Sequence, residues 1–197
     1  MRVLLIDNHD SFSAILHHYL WELAGEKPLF FRNDALSRAE LEALEFDAAV
    51  LSPGPGRPAD FGIARTIDTA LGKNLPVFGV CLGVQAIGEY FGGQLGQLAQ
   101  PAHGRPSRVQ VKGGQLMHGL PNEVTIGRYH SLFVEMSDMP EALAVTATTE
   151  DGIAMAIEHK TLPVGGVQFH PESLMSLGND VGLRIVENAF RLGQKFN

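Results

Sequence analysis

One cysteine, Cys81, occurs in the whole chain, at the centre of Gly79-Val80-Cys81-Leu82-Gly83. The apolar run 75–78 precedes it, and residues 84–91 read as a helix behind it. Strand, tight glycine-flanked turn and helix is the arrangement that presents a nucleophile at a strand end, here with sulfur instead of the usual serine oxygen. Glycines suit a turn where neighbouring chain must pass close to the nucleophile. The partial positive charge of a helix N-terminus favours the thiolate, the reactive form. A lone cysteine in an apolar run is also a common small core residue. The second half of the chain tips the balance with Gln168-Phe169-His170-Pro171-Glu172. If a strand over 163–169 continues through this segment, His170 and Glu172 point to one face. Glu172 then orients the His170 ring and stabilises its charged form while His170 takes the thiol proton.

Acyl chemistry at Cys81 also needs donors for an oxyanion, and Ser52-Pro53-Gly54-Pro55-Gly56 is a candidate. Alternating Pro and Gly make turns for purely structural reasons. As an oxyanion loop, the segment offers only the N–H groups of Gly54 and Gly56, because Pro53 and Pro55 have none. One lost donor of this kind typically costs ~3 kcal/mol of barrier lowering. Gln85 follows Cys81 by one helical turn and shares its face, although a solvated helix glutamine has the same spacing. His17-His18 has no Cys, Asp or Glu cluster at ligand spacing around it. It reads as an exposed or half-buried pair, and no metal site is expected.

The elements that must position these groups alternate. Residues 2–6 read as a first strand. Asp10 or Ser11 is placed to cap a helix carrying Phe12, Ile15, Leu16, Tyr19, Leu20 and Leu23 at helical spacing, with Gly25 at its end. Residues 29–31 form a second strand. Ser37-Arg38-Ala39-Glu40 forms a capping box for a short helix within 34–44. Residues 48–51 form a third strand, 63–71 a helix and 75–80 a fourth strand. Continuous apolar strands between helices predict a doubly wound α/β fold with a mostly parallel central sheet. From 107 to 167 the runs shorten between Gly, Pro, Asn and Asp. Residues 109–111, 124–126, 143–148 and 154–158 read as an antiparallel extension, with Tyr129-His130-Ser131 in a loop. A helix over 181–192 closes the chain. One domain, residues 1–197, is expected, with its chemistry in loops after strand ends.

Four stretches resemble the class I glutamine amidotransferases, and among them the glutaminase components of anthranilate and aminodeoxychorismate synthases. They are Leu5-Ile6-Asp7-Asn8-His9-Asp10-Ser11-Phe12, the 52–56 loop, the 79–83 elbow with Gln85, and Arg128-Tyr129-His130-Ser131-Leu132 together with the 166–173 segment. The resemblance covers essentially the whole chain and implies a flavodoxin-like sheet. It implies a Cys81–His170–Glu172 triad, with Gly54, Pro55, Gly56, Leu82, Gln85, Ser131 and Leu132 around the substrate. Gly54 and Leu82 would supply the oxyanion N–H groups. The implied substrate is L-glutamine, with no cofactor. The implied partner is a chorismate-using synthase, as a separate subunit or a fused domain, which takes the ammonia. Val84, where such glutaminases commonly carry histidine, and Arg105-Pro106-Ser107-Arg108 depart from the pattern. They leave an aminodeoxychorismate or phenazine-type synthase open as the partner.

Composition excludes some classes. With 15 Lys and Arg against 22 Asp and Glu, the formal charge is −7 and no basic patch stands out to meet nucleic acid. One cysteine cannot form an internal disulfide. The opening apolar run reaches Asp7 too soon for a signal peptide, and no apolar stretch is long enough to span a bilayer. A soluble cytoplasmic protein without a membrane partner is expected. A γ-glutamyl peptide hydrolase and a non-catalytic relative are the competing classes. The free-glutamine pocket residues oppose the first, and the intact Cys81, His170 and Glu172 oppose the second.

Overall fold

The run Val3-Leu4-Leu5-Ile6 has no polar residue to turn toward water, so a strand built from it must be covered on both faces. The computed structural model, which describes residues 1–176 and 178–194, shows this arrangement. The order is β1 (Val3–Asp7), α1 (Ser13–Ala24), β2 (Leu29–Arg32), α2 (Arg38–Ala43), β3 (Ala48–Leu51), α3 (Ala64–Gly72), β4 (Val77–Val80) and α4 (Leu82–Tyr90). It continues with β5 (Leu95–Val111), β6 (Glu123–Val134), β7 (Leu143–Thr149), β8 (Ala154–His159), β9 (Val164–Val167) and α5 (Val181–Ala189). Among the described residues the strands form one nine-stranded sheet, ordered β2-β1-β3-β4-β9-β8-β7-β5-β6. The pairs from β2 through β9 are parallel, and those from β9 to β6 are antiparallel.

The two faces carry separate cores. Val3, Leu5, Val50, Phe78 and Val80 pack with Leu16 and Leu20 of α1 and Ile185 and Val186 of α5. Leu4, Ile6, Ala49, Leu51 and Val77 pack with Leu41 of α2, Ile67 of α3 and Ile87 of α4. Strict alternation of side chains along each strand divides the apolar runs between the two cores. Five parallel strands therefore end on one edge, and the loops after β1, β3, β4 and β9 meet there.

Several local expectations change. The first helix begins at Ser13 without a side-chain cap. Asp10 Oδ1 instead accepts the Phe12 N–H at 2.8 Å, and Asp7 Oδ1 accepts the Ser13 hydroxyl at 2.6 Å. The expected ends hold at Gly25, which caps α1 at φ 70°, and at Ser37, which makes both bonds of its capping box. Ile15 and Trp21 of α1 are exposed, as is Phe30 of β2. The larger change lies in β5 and β6. Residues 95–106, to which the sequence assigned no element, belong to β5, and Tyr129-His130-Ser131, expected in a loop, lie on β6. Pro101, Gly104 and Pro106 hid this strand. They are tolerated because β5 meets β7 only over Val109–Val111 and breaks register with β6 between Gln97 and Ala102 and between His103 and Arg105. α5 ends at Ala189, short of the expected 192. Among the described residues no helix is long and apolar enough to cross a membrane.

Candidate active site

Cys81 occupies the turn between β4 and α4 with φ 52° and ψ −102°. A non-glycine residue there costs of order 1–3 kcal/mol and persists only where the surroundings enforce it. Three constraints do so. The Cys81 N–H donates to Val167 C=O at 2.8 Å, extending the β4–β9 ladder by one rung. The Cys81 carbonyl accepts the Gln85 N–H at 3.1 Å, the first turn of α4. Third, strand, turn and helix lie too close for side chains between them. A Cβ on Gly79 would strike the Gly83 backbone, one on Gly83 would strike the Leu51 carbonyl, and one on Gly166 would strike the Gly79 carbonyl. Both glycines of the elbow motif are therefore required by packing.

His170 follows β9, the strand beside β4. The expectation that β9 runs on through Glu172 is corrected: the strand ends at Val167, and a turn closed by Ser173 N–H on His170 C=O brings the pair together. Pro171 has no N–H for a ladder, so the chain turns there. His170 Nδ1 and Glu172 Oε1 are 2.8 Å apart, and both residues are 2% exposed. Ser176 Oγ donates to His170 C=O at 2.7 Å, and the His170 N–H donates to Gly127 C=O at 3.2 Å. Phe12 and Tyr129 pack on the ring with centroids 4.9 and 5.1 Å away. Burial, the largest single influence, disfavours the imidazolium. Hydrogen bonds to Cys81 and Glu172 and their negative charges outweigh it and raise the His170 pKa to about 10. Glu172 Oε2 finds no hydrogen-bond donor among the described residues, so the buried carboxylate depends on this imidazole.

In front of the sulfur lies a cavity of about 160 Å³ lined by Gly54, Pro55, Gly56, Cys81, Gln85, Tyr129, His130, Ser131 and Leu132. It is small beside the ~300–1,000 Å³ of drug-sized ligand sites, and of a size for a small amino acid. The loop carrying Gly54 is pinned to β1. Asn8 N–H donates to Ser52 Oγ at 2.8 Å, Asn8 Nδ2 donates to Ser52 C=O at 3.0 Å, and Ser52 Oγ donates to Pro53 C=O at 2.6 Å. A Cβ on Gly54 would lie 2.7 Å from the Asn8 carbonyl and 2.6 Å from Leu82 Cδ2, so only glycine lets this loop close on the elbow.

Cys81, Gly54, Pro55, Gly56, Gln85, Ser131 and Leu132 thus meet around one cavity, with His170 and Glu172 buried behind the sulfur. Leu82 does not line the cavity: its side chain is in the core and only its backbone N–H is available, as one of the unpaired first-turn donors of α4. Gln85 is no solvated helix residue. It is 3% exposed, and its Nε2 donates to Leu132 C=O at 2.9 Å and to Gln168 Oε1 at 3.2 Å. Sequence reasoning missed Tyr129 and His130 as lining residues, Phe12 as a cover for His170, and Gln168, whose Nε2 stands 3.6 Å from Cys81 Sγ. Each stood inside a motif already singled out, but its partner is remote in sequence. His17 is half-buried and His18 is exposed beside Glu22, away from this site.

Known proteins are similar to this chain over nearly its whole length. The anthranilate synthase of Azospirillum brasilense is 50% identical over 187 residues, which are 95% of this chain and 25% of that protein. The aminodeoxychorismate synthase of Streptomyces griseus is 47% identical over 193 residues, again 95% of this chain and 25% of the relative. The chain therefore spans about a quarter of the length of these two relatives. A solved structure from Thermoplasma acidophilum, described as a putative GMP synthase subunit, superposes with a TM-score of 0.84 at 25% identity, covering 98% of this chain and 94% of that one. The family profile described as Glutamine amidotransferase class-I matches residues 4–190, so the chain belongs to the class-I glutamine amidotransferases.

Proposed function

We propose that this chain hydrolyses the side-chain amide of L-glutamine through a Cys81 thioester and passes the ammonia to a chorismate-using synthase of the anthranilate synthase kind. The observation that carries this reading is the strained Cys81 between a small amino-acid-sized cavity and the buried His170–Glu172 pair. Cys81 gives its proton to His170 and attacks the carboxamide carbon. Charge moves to the amide oxygen, where the Gly54 and Leu82 N–H groups stabilise it. Collapse breaks the C–N bond as His170 protonates the leaving nitrogen, and ammonia departs. Water then loses a proton to His170 and attacks the γ-glutamyl thioester. The C–S bond breaks, sulfur regains its proton from His170, and glutamate leaves. Pro55, Gly56, Gln85, Ser131 and Leu132 hold the substrate.

Residues 1–197 act as one domain, and the acceptor is a separate subunit or a fused domain. A single free thiol fits a reducing compartment, which supports the cytoplasm as its place of work. The relatives' names support a chorismate-derived acceptor and favour anthranilate over aminodeoxychorismate by only a few per cent of identity. The test is anthranilate fluorescence from chorismate and glutamine, with this chain added to the large chain of an anthranilate synthase. Fluorescence that requires both chains and disappears with Cys81→Ala supports the reading. No fluorescence, while the same large chain still works with ammonium, transfers the proposal to the aminodeoxychorismate or phenazine-type synthases.

A further inference from the structure

A chain of polar contacts runs from the groove lined by Arg108, Arg128 and Asp151 to the nucleophile. Its donors and acceptors can be assigned without ambiguity. Arg128 lies near Asp151, with Nη1 and Oδ2 3.8 Å apart, and is 8% exposed. Its guanidinium only donates, so when Nε meets His130 Nε2 at 3.1 Å that nitrogen must accept. His130 is then the neutral tautomer with its proton on Nδ1, which donates to Leu132 C=O at 2.9 Å. The Leu132 carbonyl only accepts, so Gln85 must present its NH₂ to it, at 2.9 Å. The second hydrogen of that NH₂ goes to Gln168 Oε1 at 3.2 Å. Gln168 therefore turns its own NH₂ toward Cys81 Sγ, 3.6 Å away. A donor aimed at sulfur stabilises the thiolate and cannot accept the thiol proton, which leaves His170 to take it. The charged groups at this sulfur are His170 and, through its ring, Glu172, both in the segment after β9. β6 adds Arg128 and the neutral His130, one to two residues beyond Leu132 in the contact chain.

We propose that Gln168 is a further catalytic residue that supports the Cys81 thiolate, and that Arg128 and His130 are positioning residues that hold the Leu132 carbonyl where Gln85, and through it Gln168, align their amides. Gln168 is 2% exposed and does not line the cavity, so its amide serves the sulfur and not the substrate. The polar residues of the antiparallel extension thereby act on the nucleophile from more than one strand away. Arg128 and His130 do so without touching it.

The proposal rests on the glutaminase reading for its kinetic arm only. Cys81 is the only cysteine in the chain, so alkylation by iodoacetamide across pH reports the thiolate fraction of this one sulfur and needs no glutamine. Gln168→Met, close in size and without a donor, is expected to move the alkylation midpoint up by about one pH unit and to slow alkylation at pH 7 about tenfold, the effect of losing one hydrogen bond to a charged group. It also lowers kcat more than it changes KM. His130→Phe shifts the midpoint in the same direction. His130→Asn, whose amide restores the donor toward Leu132, returns it toward the wild-type value. A role in packing alone would lower Tm and leave the midpoint in place. An unmoved midpoint in folded Gln168→Met overturns the proposal. If that variant does not fold, an unmoved midpoint in His130→Phe does so. A wild-type chain that alkylates normally but hydrolyses no glutamine with any synthase removes the glutaminase reading, and the alkylation shifts then decide this proposal alone.

Discussion

At the scale of the residue, two buried histidines are driven in opposite directions by their neighbours. His170 lies between Cys81 and Glu172 and holds its proton up to a pKa of about 10. Burial first, and the Arg128 charge second, push the His130 pKa down to about 4 despite its bond to Leu132 C=O. Glu172→Gln keeps the size of the side chain but removes the charge that sustains the imidazolium. We expect it to lower glutamine-dependent kcat by about 10²-fold while Cys81 still alkylates; an unchanged kcat would remove Glu172 from the mechanism. His130 predicts a stability effect of definite sign. Between pH 6.5 and 4 the unfolded chain binds a proton at this residue that the folded chain refuses, so stability falls as pH falls through that window. The full loss, reached below about pH 4, is roughly 3 kcal/mol. His130→Asn does not titrate, so its stability relative to wild type should improve steadily from pH 6.5 to 4 in denaturant unfolding. Parallel curves for the two proteins would contradict this. The pairing of His170 with Glu172 near Cys81 was legible in the sequence because the three residues sit in two compact motifs. Gln168, Arg128 and His130 were quoted in those motifs, but nothing local says which atom faces which.

At the scale of the element, the parallel half and the antiparallel β7 and β8 were legible and the extent of β5 and β6 was not, for a physical reason. Strands covered by helices on both faces must be apolar throughout, so β1, β3 and β4 announce themselves. β5 and β6 are held by pairing with each other across register breaks, and half of β5 is exposed. Local composition then says little about the strand, and Pro101 and Pro106 argue against it. The same contrast separates two substitutions. Gly83→Ala places a methyl against the Leu51 carbonyl where α4 meets β3, on the element that carries Cys81. We expect it to shift the elbow, cost about 1–3 kcal/mol and lower glutamine-dependent kcat at least tenfold. Ser37→Ala removes the capping box of α2, far from the cavity. It should cost about 1 kcal/mol, visible as a fall of ~2–4 °C in Tm, with kcat unchanged. A Gly83→Ala enzyme with wild-type activity would mean that the elbow tolerates displacement and that its glycines are not what holds Cys81 in place.

At the scale of the molecule, the proposed function requires an acceptor for the ammonia, but the sequence does not say where that acceptor docks, because a docking face is written only in exposed side chains. The described surface near the site offers one conspicuous apolar group. Leu174, on a 3-10 turn (Leu174–Ser176) two residues after Glu172, is 86% exposed. It follows the buried His170–Glu172 pair by two residues, and under the proposed function a synthase docked on this face would cover it. Two variants separate chemistry from docking. Cys81→Ala removes the nucleophile and leaves the surface intact, so it should end glutamine-dependent synthesis, spare ammonium-dependent synthesis by the partner, and inhibit the wild-type chain by competing for that partner. Leu174→Glu leaves the nucleophile intact and disfavours docking. It should alkylate at Cys81 like wild type, need about tenfold more chain for half-maximal anthranilate formation, and fail to compete when combined with Cys81→Ala. Competition by the double variant as strong as that of Cys81→Ala alone would show that the synthase does not sit on Leu174. The interface would then have to be sought at the His9 loop or along residues 101–108 within β5.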